Sequence, residues 1–322
     1  MTIADISEAR RRIAPHIRRT PLVSSAWLSA LAGADVRLKL ESLQLTNSFK
    51  LRGAVNATAA FLERHRGGRG PAGPIVTASA GNHGRAMACA AERLGLELVV
   101  FTPQSAPRAK LDHIARHGAD LRPAPTYEDS ERMAKAFAAE TGATFISPYS
   151  HPDVIAGAAT VAVEILEDWP DVDAVLVSVG GGGLASGIAI AARALAGRVE
   201  VVGVETESSP AFHEALKAGH VVEVEVHPTL ADGLAGNMDP ETITFDLVKR
   251  HVNRTVLAPE SAIADAIRGL FEEERVIAEG AGATAVAALL AGLPVAGRKV
   301  AVVVSGANID AELLSKVLQC GR

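Results

Sequence analysis

At 322 residues, 48% of them hydrophobic and 21% charged, the chain carries enough apolar material for two cored domains of about 100–200 residues, which excludes a disordered chain. A formal net charge of −5 speaks against a nucleic-acid partner, and the basic runs Arg10-Arg11-Arg12 and Arg18-Arg19 read as a solvated helix face. Two cysteines, Cys89 and Cys320, give neither a metal spacing nor a disulfide framework, which fits a reducing cytoplasm.

Asp5 and Glu8 precede the first arginines with no apolar core ahead of a cleavage site, so no signal peptide is expected. Ile3, Ile6, Ala9, Ile13 and Ile17 recur at helical spacing, and Thr20-Pro21-Leu22 ends that helix. Residues 36–40 alternate like a strand, a helix follows around Lys50, and 66–74 is loop by composition. A strand at 74–78, a turn through Gly81 and Gly84, a helix from Arg85 to Leu94 and a strand at 98–102 make a βαβ unit. Helices at 107–117 and 127–141 alternate with strand segments at 119–122 and 143–146. After His151-Pro152 come a helix at 154–166, a strand at 174–179, a glycine loop and a helix through Ala196. Further strands at 199–204 and 300–304 have helices at 210–218, 259–274 and 282–291 around them. Strands alternating with helices of about 10–15 residues predict parallel sheets with helices on both faces, an α/β fold. The longest apolar tract, 172–192, is broken by Gly180 to Gly183, so no membrane span is expected.

Two stretches carry chemistry. In Ser48-Phe49-Lys50-Leu51-Arg52-Gly53-Ala54 a lysine stands among Leu43, Leu45, Phe49 and Leu51, with Asn47 and Ser48 placed to start a helix. Desolvation or a nearby positive charge lowers a lysine pKa and lets the amine bond to an aldehyde; the plain alternative is an amphipathic helix with one solvated lysine. In Ser178-Val179-Gly180-Gly181-Gly182-Gly183-Leu184-Ala185-Ser186-Gly187, between a buried strand and a helix, consecutive glycines let backbone N–H groups converge on a phosphate. A nucleotide could use the same geometry, but the segment lacks the GKS or GKT ending of a P-loop and does not read cleanly as a dinucleotide fingerprint.

Thr77-Ala78-Ser79-Ala80-Gly81-Asn82-His83-Gly84, Ala231-Asp232-Gly233, Glu279-Gly280-Ala281-Gly282-Ala283 and Ser305-Gly306-Ala307-Asn308 complete an ordered set. Together with Thr20-Pro21-Leu22, the lysine stretch and the glycine loop, it resembles the pyridoxal-phosphate-dependent serine/threonine dehydratase and serine racemase family over nearly the whole chain. The resemblance implies two parallel-sheet α/β domains of the tryptophan-synthase-β-like (fold type II) kind. Residues 1–46 and 147–322 would form the large cofactor-binding domain, 47–146 an inserted small one. It also implies a cytoplasmic homodimer acting on a small amino acid. Lys50 would bear pyridoxal 5'-phosphate and take the substrate Cα proton. Phe49, Asn82, Gly180, Gly181, Gly182, Gly183, Leu184, Glu279 and Ser305 would hold the cofactor, and Ser79, Ala80, Asn82, His83 and Gly233 the substrate.

Serine and threonine lead as substrates. 3-Hydroxyaspartate, a longer hydroxylated diamino acid of the hydroxyectoine type, racemisation, β-replacement and a non-catalytic binding protein are the alternatives. An acidic β-substituent would need a cation such as Arg132 or His151. Ala80 stands where the resembling racemases have a second serine, and alanine has no proton to transfer, so racemisation is disfavoured. Relatives hold a divalent cation through positions matching Glu205, Ser209 and Ala211; Ala211 lacks the oxygen, so at most a weak site is implied and no metal is assigned. Only 12 residues follow Asp310, and inhibition by isoleucine through an appended regulatory domain is not expected.

Overall fold

The computed structural model describes residues 1–65 and 73–319. Cys320 and most of the loop expected at 66–74 lie outside them. Along the chain run α1 (Ile3–Ile13), β1 (Leu22–Ser24), α2 (Ala26–Ala32), β2 (Asp35–Leu40), α3 (Lys50–His65), β3 (Ile75–Ala78), α4 (Asn82–Leu94) and β4 (Leu98–Pro103). Then come α5 (Arg108–Ala115), β5 (Asp120–Ala124), α6 (Tyr127–Thr141), β6 (Thr144–Phe145), α7 (Pro152–Asp168), β7 (Ala174–Ser178), α8 (Gly183–Ala196) and β8 (Glu200–Thr206). The last elements are α9 (Ala211–Ala218), α10 (Thr244–His251), β9 (Arg254–Ala258), α11 (Glu260–Glu272), α12 (Gly280–Leu290), β10 (Lys299–Val304) and α13 (Ala311–Gln319).

Two compact units result. The first gathers Met1–Arg18 and Lys50–Ala158, the second Arg19–Phe49 and Ala159–Arg322. The second unit holds a six-stranded sheet in the order β1-β2-β10-β7-β8-β9, parallel except for β1. Its inner strands are unbroken apolar runs such as Val300-Ala301-Val302-Val303-Val304, as a parallel sheet covered on both faces requires. α12, almost wholly buried, packs across β7, β8 and β10. The first unit holds the parallel sheet β5-β4-β3-β6, with α6 on β3 and β4, and α3 against α4.

Residues 1–18 group with the four-stranded sheet, whereas the expected division put them in the large domain. The reason is local: α1 packs on α3, and Arg12 reaches Glu63 at 2.7 Å. Other boundaries shift for equally plain causes. The first helix stops at Ile13 because Pro15 forces a 3-10 turn over Ala14–His16. α4 begins at Asn82, three residues before the expected Arg85.

Candidate active site

In the six-stranded unit the carboxyl ends of β7 and β10 carry the glycine turn and Ser305. α8 starts at Gly183, and among the described residues no side chain caps its first N–H groups. Gly182 sits at φ +80°, which glycine alone takes without strain, and a Cβ there would stand 2.5 Å from the Phe212 ring. On Gly180 a Cβ would meet the Leu234 Cα at 3.0 Å. The Thr244 hydroxyl donates to the Gly181 carbonyl at 2.8 Å and pins the turn. Leu184 is buried behind it, and the buried Ser178 hydroxyl has no partner among the described residues.

Ser305 is 5% exposed, and its hydroxyl donates to the Ala281 carbonyl at 3.3 Å in the first turn of α12. The helix can come this close because a Cβ on Gly280 would collide with the Leu230 carbonyl, and one on Gly282 with that of Gly306. Gly306 in turn leaves room for the Glu279 carboxylate. The Phe49 N–H donates to the Ser305 carbonyl at 3.1 Å, and Asn47, at φ +59°, turns the chain so that its carbonyl accepts from Ala307 at 2.8 Å. Asn47 thus makes a bend rather than the helix start expected of it. A Cβ on Gly233 would lie 3.2 Å from that of Ala281, so Phe49, Gly180, Gly233, Glu279 and Ser305 gather at one end of the strands.

In the four-stranded unit Lys50 is the first residue of α3, half-buried, with its Nζ donating to the Pro148 carbonyl at 2.8 Å. That carbonyl was missed, because a backbone acceptor leaves no mark in a sequence. After β3, the Ser79 N–H extends the ladder to Phe101 at 3.1 Å, and the Ser79 hydroxyl oxygen accepts from the Gly81 N–H at 3.2 Å. The turn folds back on the first turn of α4, where a Cβ on Gly84 would collide with the Ser79 carbonyl. Ser79 and His83 are buried, while Ala80 and Asn82 are partly exposed.

Hydrogen bonding fixes the state of His83. Thr77 has one hydroxyl proton and donates it to the Ile146 carbonyl at 2.7 Å, so the His83 Nε2, 3.1 Å from the same oxygen, must be the donor between them. Nδ1 is buried with no partner among the described residues. Burial first, and the charge of Lys50 second, hold His83 well below the usual histidine range, so the ring is neutral. The side chain offers no donor to a carboxylate; what this residue can offer one is its backbone N–H in the first turn of α4. His151 is likewise lowered by burial, and its Nδ1 accepts from the Asp153 N–H at 3.2 Å. Arg132 is an exposed partner of Asp129 at 2.6 Å on α6.

The positions matched to a cation do other work. Glu205 is 1% exposed, and its two oxygens accept the N–H groups of Phe212 and His213 at 2.8 and 2.7 Å, capping α9. Burial pushes its pKa up to about 8 against those hydrogen bonds. The Ser209 hydroxyl oxygen accepts from the Gly236 N–H at 3.1 Å, and Ala211 opens α9. No group of three or more His, Cys, Asp or Glu able to hold a metal occurs among the described residues.

This fold, with its glycine turn and its lysine-headed helix, is that of the fold type II pyridoxal-phosphate enzymes, and the chain belongs to the family described as pyridoxal-phosphate dependent enzyme, which matches residues 13–306. It is 42% identical, over 100% of its own length and 79% of the relative's, to an L-threonine ammonia-lyase of Thermotoga maritima. Maize serine racemase superposes with a TM-score of 0.90 at 31% identity, covering 98% of this chain and 96% of that one. The processed form of threonine deaminase isoform 2 from Solanum lycopersicum gives 0.89 at 29%, covering 99% and 92%. The residues present fit the cofactor: a helix start that no side chain caps among the described residues, behind a turn where Gly182 leaves no room for a Cβ, beside a buried hydroxyl with no partner among those residues, suits a phosphate. Among the described residues no helix is long and apolar enough to cross a membrane.

Proposed function

We propose that this chain is a lyase that removes the β-hydroxyl and then the amino group of L-threonine or L-serine, giving a 2-oxo acid and ammonia. The observation that carries the reading is its 42% identity, along its entire length, to an L-threonine ammonia-lyase.

When bound, pyridoxal phosphate draws electrons from the substrate Cα and makes its proton easier to remove. Gly180 to Gly183 with Leu184 would hold the phosphate, Phe49, Glu279 and Ser305 the ring, and Asn82 the 3-hydroxyl. Lys50 would anchor the cofactor, and its Nζ, oriented by the Pro148 carbonyl that accepts from it, would be the base for the Cα proton. Ser79, Ala80, Gly233 and the backbone N–H groups of Asn82 and His83 hold the substrate. Ser305 offers a neutral hydroxyl, engaged by Ala281, where a carboxylate would stabilise a proton on the ring nitrogen. Such a hydroxyl would keep electron withdrawal modest, which would favour prompt loss of the β-hydroxyl as water. The released enamine tautomerises and is hydrolysed.

Ala80 separates this activity from racemisation, which needs a second acid–base group opposite Lys50. The same reading includes a cytoplasmic homodimer and a large cofactor-binding domain with a smaller one inserted. An acidic β-substituent is disfavoured, since His151 is held toward the neutral form and Arg132 is paired with Asp129. The test is to mix the purified holoenzyme with L-threonine, L-serine and 3-hydroxyaspartate and follow ammonia and 2-oxo acid. Threonine and serine should be consumed with little D-serine on chiral chromatography. D-Serine forming as fast as pyruvate, or no oxo acid from either substrate, would overturn the reading.

A further inference from the structure

Glu260 opens α11, and its carboxylate is a meeting point for segments that are distant in sequence. Its Oε1 accepts the hydroxyls of Thr206, the last residue of β8, and Thr229, each at 2.5 Å. Its Oε2 accepts the Leu230 N–H at 3.0 Å. The Thr229 oxygen also accepts the Ala231 N–H at 3.0 Å, and the Leu234 N–H closes the loop onto the Ala231 carbonyl at 2.8 Å. Residues 229–234 are thus tied at their leading end to the sheet. Their far end packs on the site described above, with the Leu234 Cα and Gly233 carbonyl against Gly180, while at the leading end the Leu230 carbonyl lies against Gly280.

We propose that Glu260 is a positioning residue that clamps loop 229–234 to the end of β8 and thereby holds Gly233 and Leu234 against the glycine turn at Gly180. The proposal rests on the functional reading only for the role of Gly233; the clamp itself is defined by hydrogen bonds within one unit. Three donors on one carboxylate make the arrangement specific to glutamate. A glutamine could accept the two hydroxyls with its oxygen, but its amide would then oppose the Leu230 N–H, donor against donor. Turned the other way, it would leave the Thr229 hydroxyl proton without its acceptor. Either way the link to the loop is broken while side-chain shape is kept.

The experiment compares the wild-type holoenzyme with Glu260→Gln and, as a second variant that alters only the loop, Thr229→Val. Amide hydrogen exchange of peptides spanning 229–234 should quicken roughly tenfold in Glu260→Gln and less in Thr229→Val, as loss of hydrogen bonds to a charged acceptor implies. KM for L-threonine should rise several-fold with kcat nearly unchanged. A residue that served stability alone would lower Tm without splitting KM from kcat. Unchanged exchange at 229–234 in both variants overturns the proposal, as does a loss of kcat with KM constant. Exchange does not depend on the reaction catalysed. A protein inactive toward threonine whose loop exchange still quickens in the variants would therefore refute the functional reading and support the clamp.

Discussion

Lys50 and His83 belong to the same corner of the four-stranded unit, and each leads to a measurement. Lys50→Ala should leave the fold intact, remove the visible absorbance of the bound cofactor and lower oxo-acid formation by about three orders of magnitude or more. Retained turnover in the usual coupled assay would show that another group takes the Cα proton. For His83 the sign follows from burial. Its folded pKa lies below the ordinary value of about 6.5, so the unfolded chain binds the proton more readily. The neutral ring contributes stability that is present above about pH 6.5 and lost as pH falls toward the folded value. Nitrogen-15 spectra should show a neutral Nε2–H ring from pH 6 to 8, and urea midpoints should decline below pH 6 less steeply in His83→Gln. An Nε2 without a proton at pH 7 would contradict the Thr77 geometry, and a charged ring there would contradict the burial. The sequence singled out both residues from a motif, but the tautomer depends on Ile146, 69 residues from Thr77, and no motif contains that pairing.

At the scale of the elements, glycines mark where backbone must pass close. Gly95 and Gly182 both have positive φ, at +69° and +80°, but Gly95 ends α4 in open space whereas Gly182 faces Phe212. Gly95→Ala should therefore cost about 1 kcal/mol from backbone conformation alone. Gly182→Ala should cost about 2–4 kcal/mol, the excess being steric. Urea denaturation with an unchanged m-value measures both, and equal costs would mean that Phe212 yields freely. Elements with clear ends were legible: α6 was read to the residue because Thr126 caps its start and Gly142, at φ +76°, its end. β1, α2, β9, α10 and α13 escaped the reading, since β1 is a three-residue strand, β9 is a half-buried edge and the three helices are seven to nine residues long. Short segments carry too few repeats for periodicity to stand out.

For the whole molecule the governing fact is that the six-stranded sheet is assembled from remote pieces. β10, near the end of the chain, lies between β2 and β7, so the sheet closes only after the intervening unit has been made. A buried ion pair follows the same pattern: the Lys39 Nζ, fully buried on β2, donates to Glu164 on α7 and to the Thr20 carbonyl, both at 2.6 Å. Glu164→Gln should cost about 3–5 kcal/mol because it strands a buried ammonium, and Lys39→Met added to it should recover much of that loss. Chemical denaturation of the single and double variants is the check. A single variant as stable as the wild type would mean that water or another group satisfies the lysine.

From its sequence alone this protein could be assigned a parallel α/β architecture, a lysine and a glycine turn suited to a phosphate-bearing cofactor, and a family. All three are local properties: the period of apolar residues, the conformational freedom of glycine and the order of short motifs. Only the tertiary structure decided that Glu205 caps α9, that the His83 Nε2 donates to Thr77, that Pro148 receives the Lys50 ammonium, and that Glu260 ties down the loop beside Gly180. Those outcomes rest on which polar atom finds which partner inside the fold. The partners lie as far as 98 residues apart for Lys50 and 125 for Lys39, so their pairing is a product of burial, where every donor must be met, and not of any neighbouring residue.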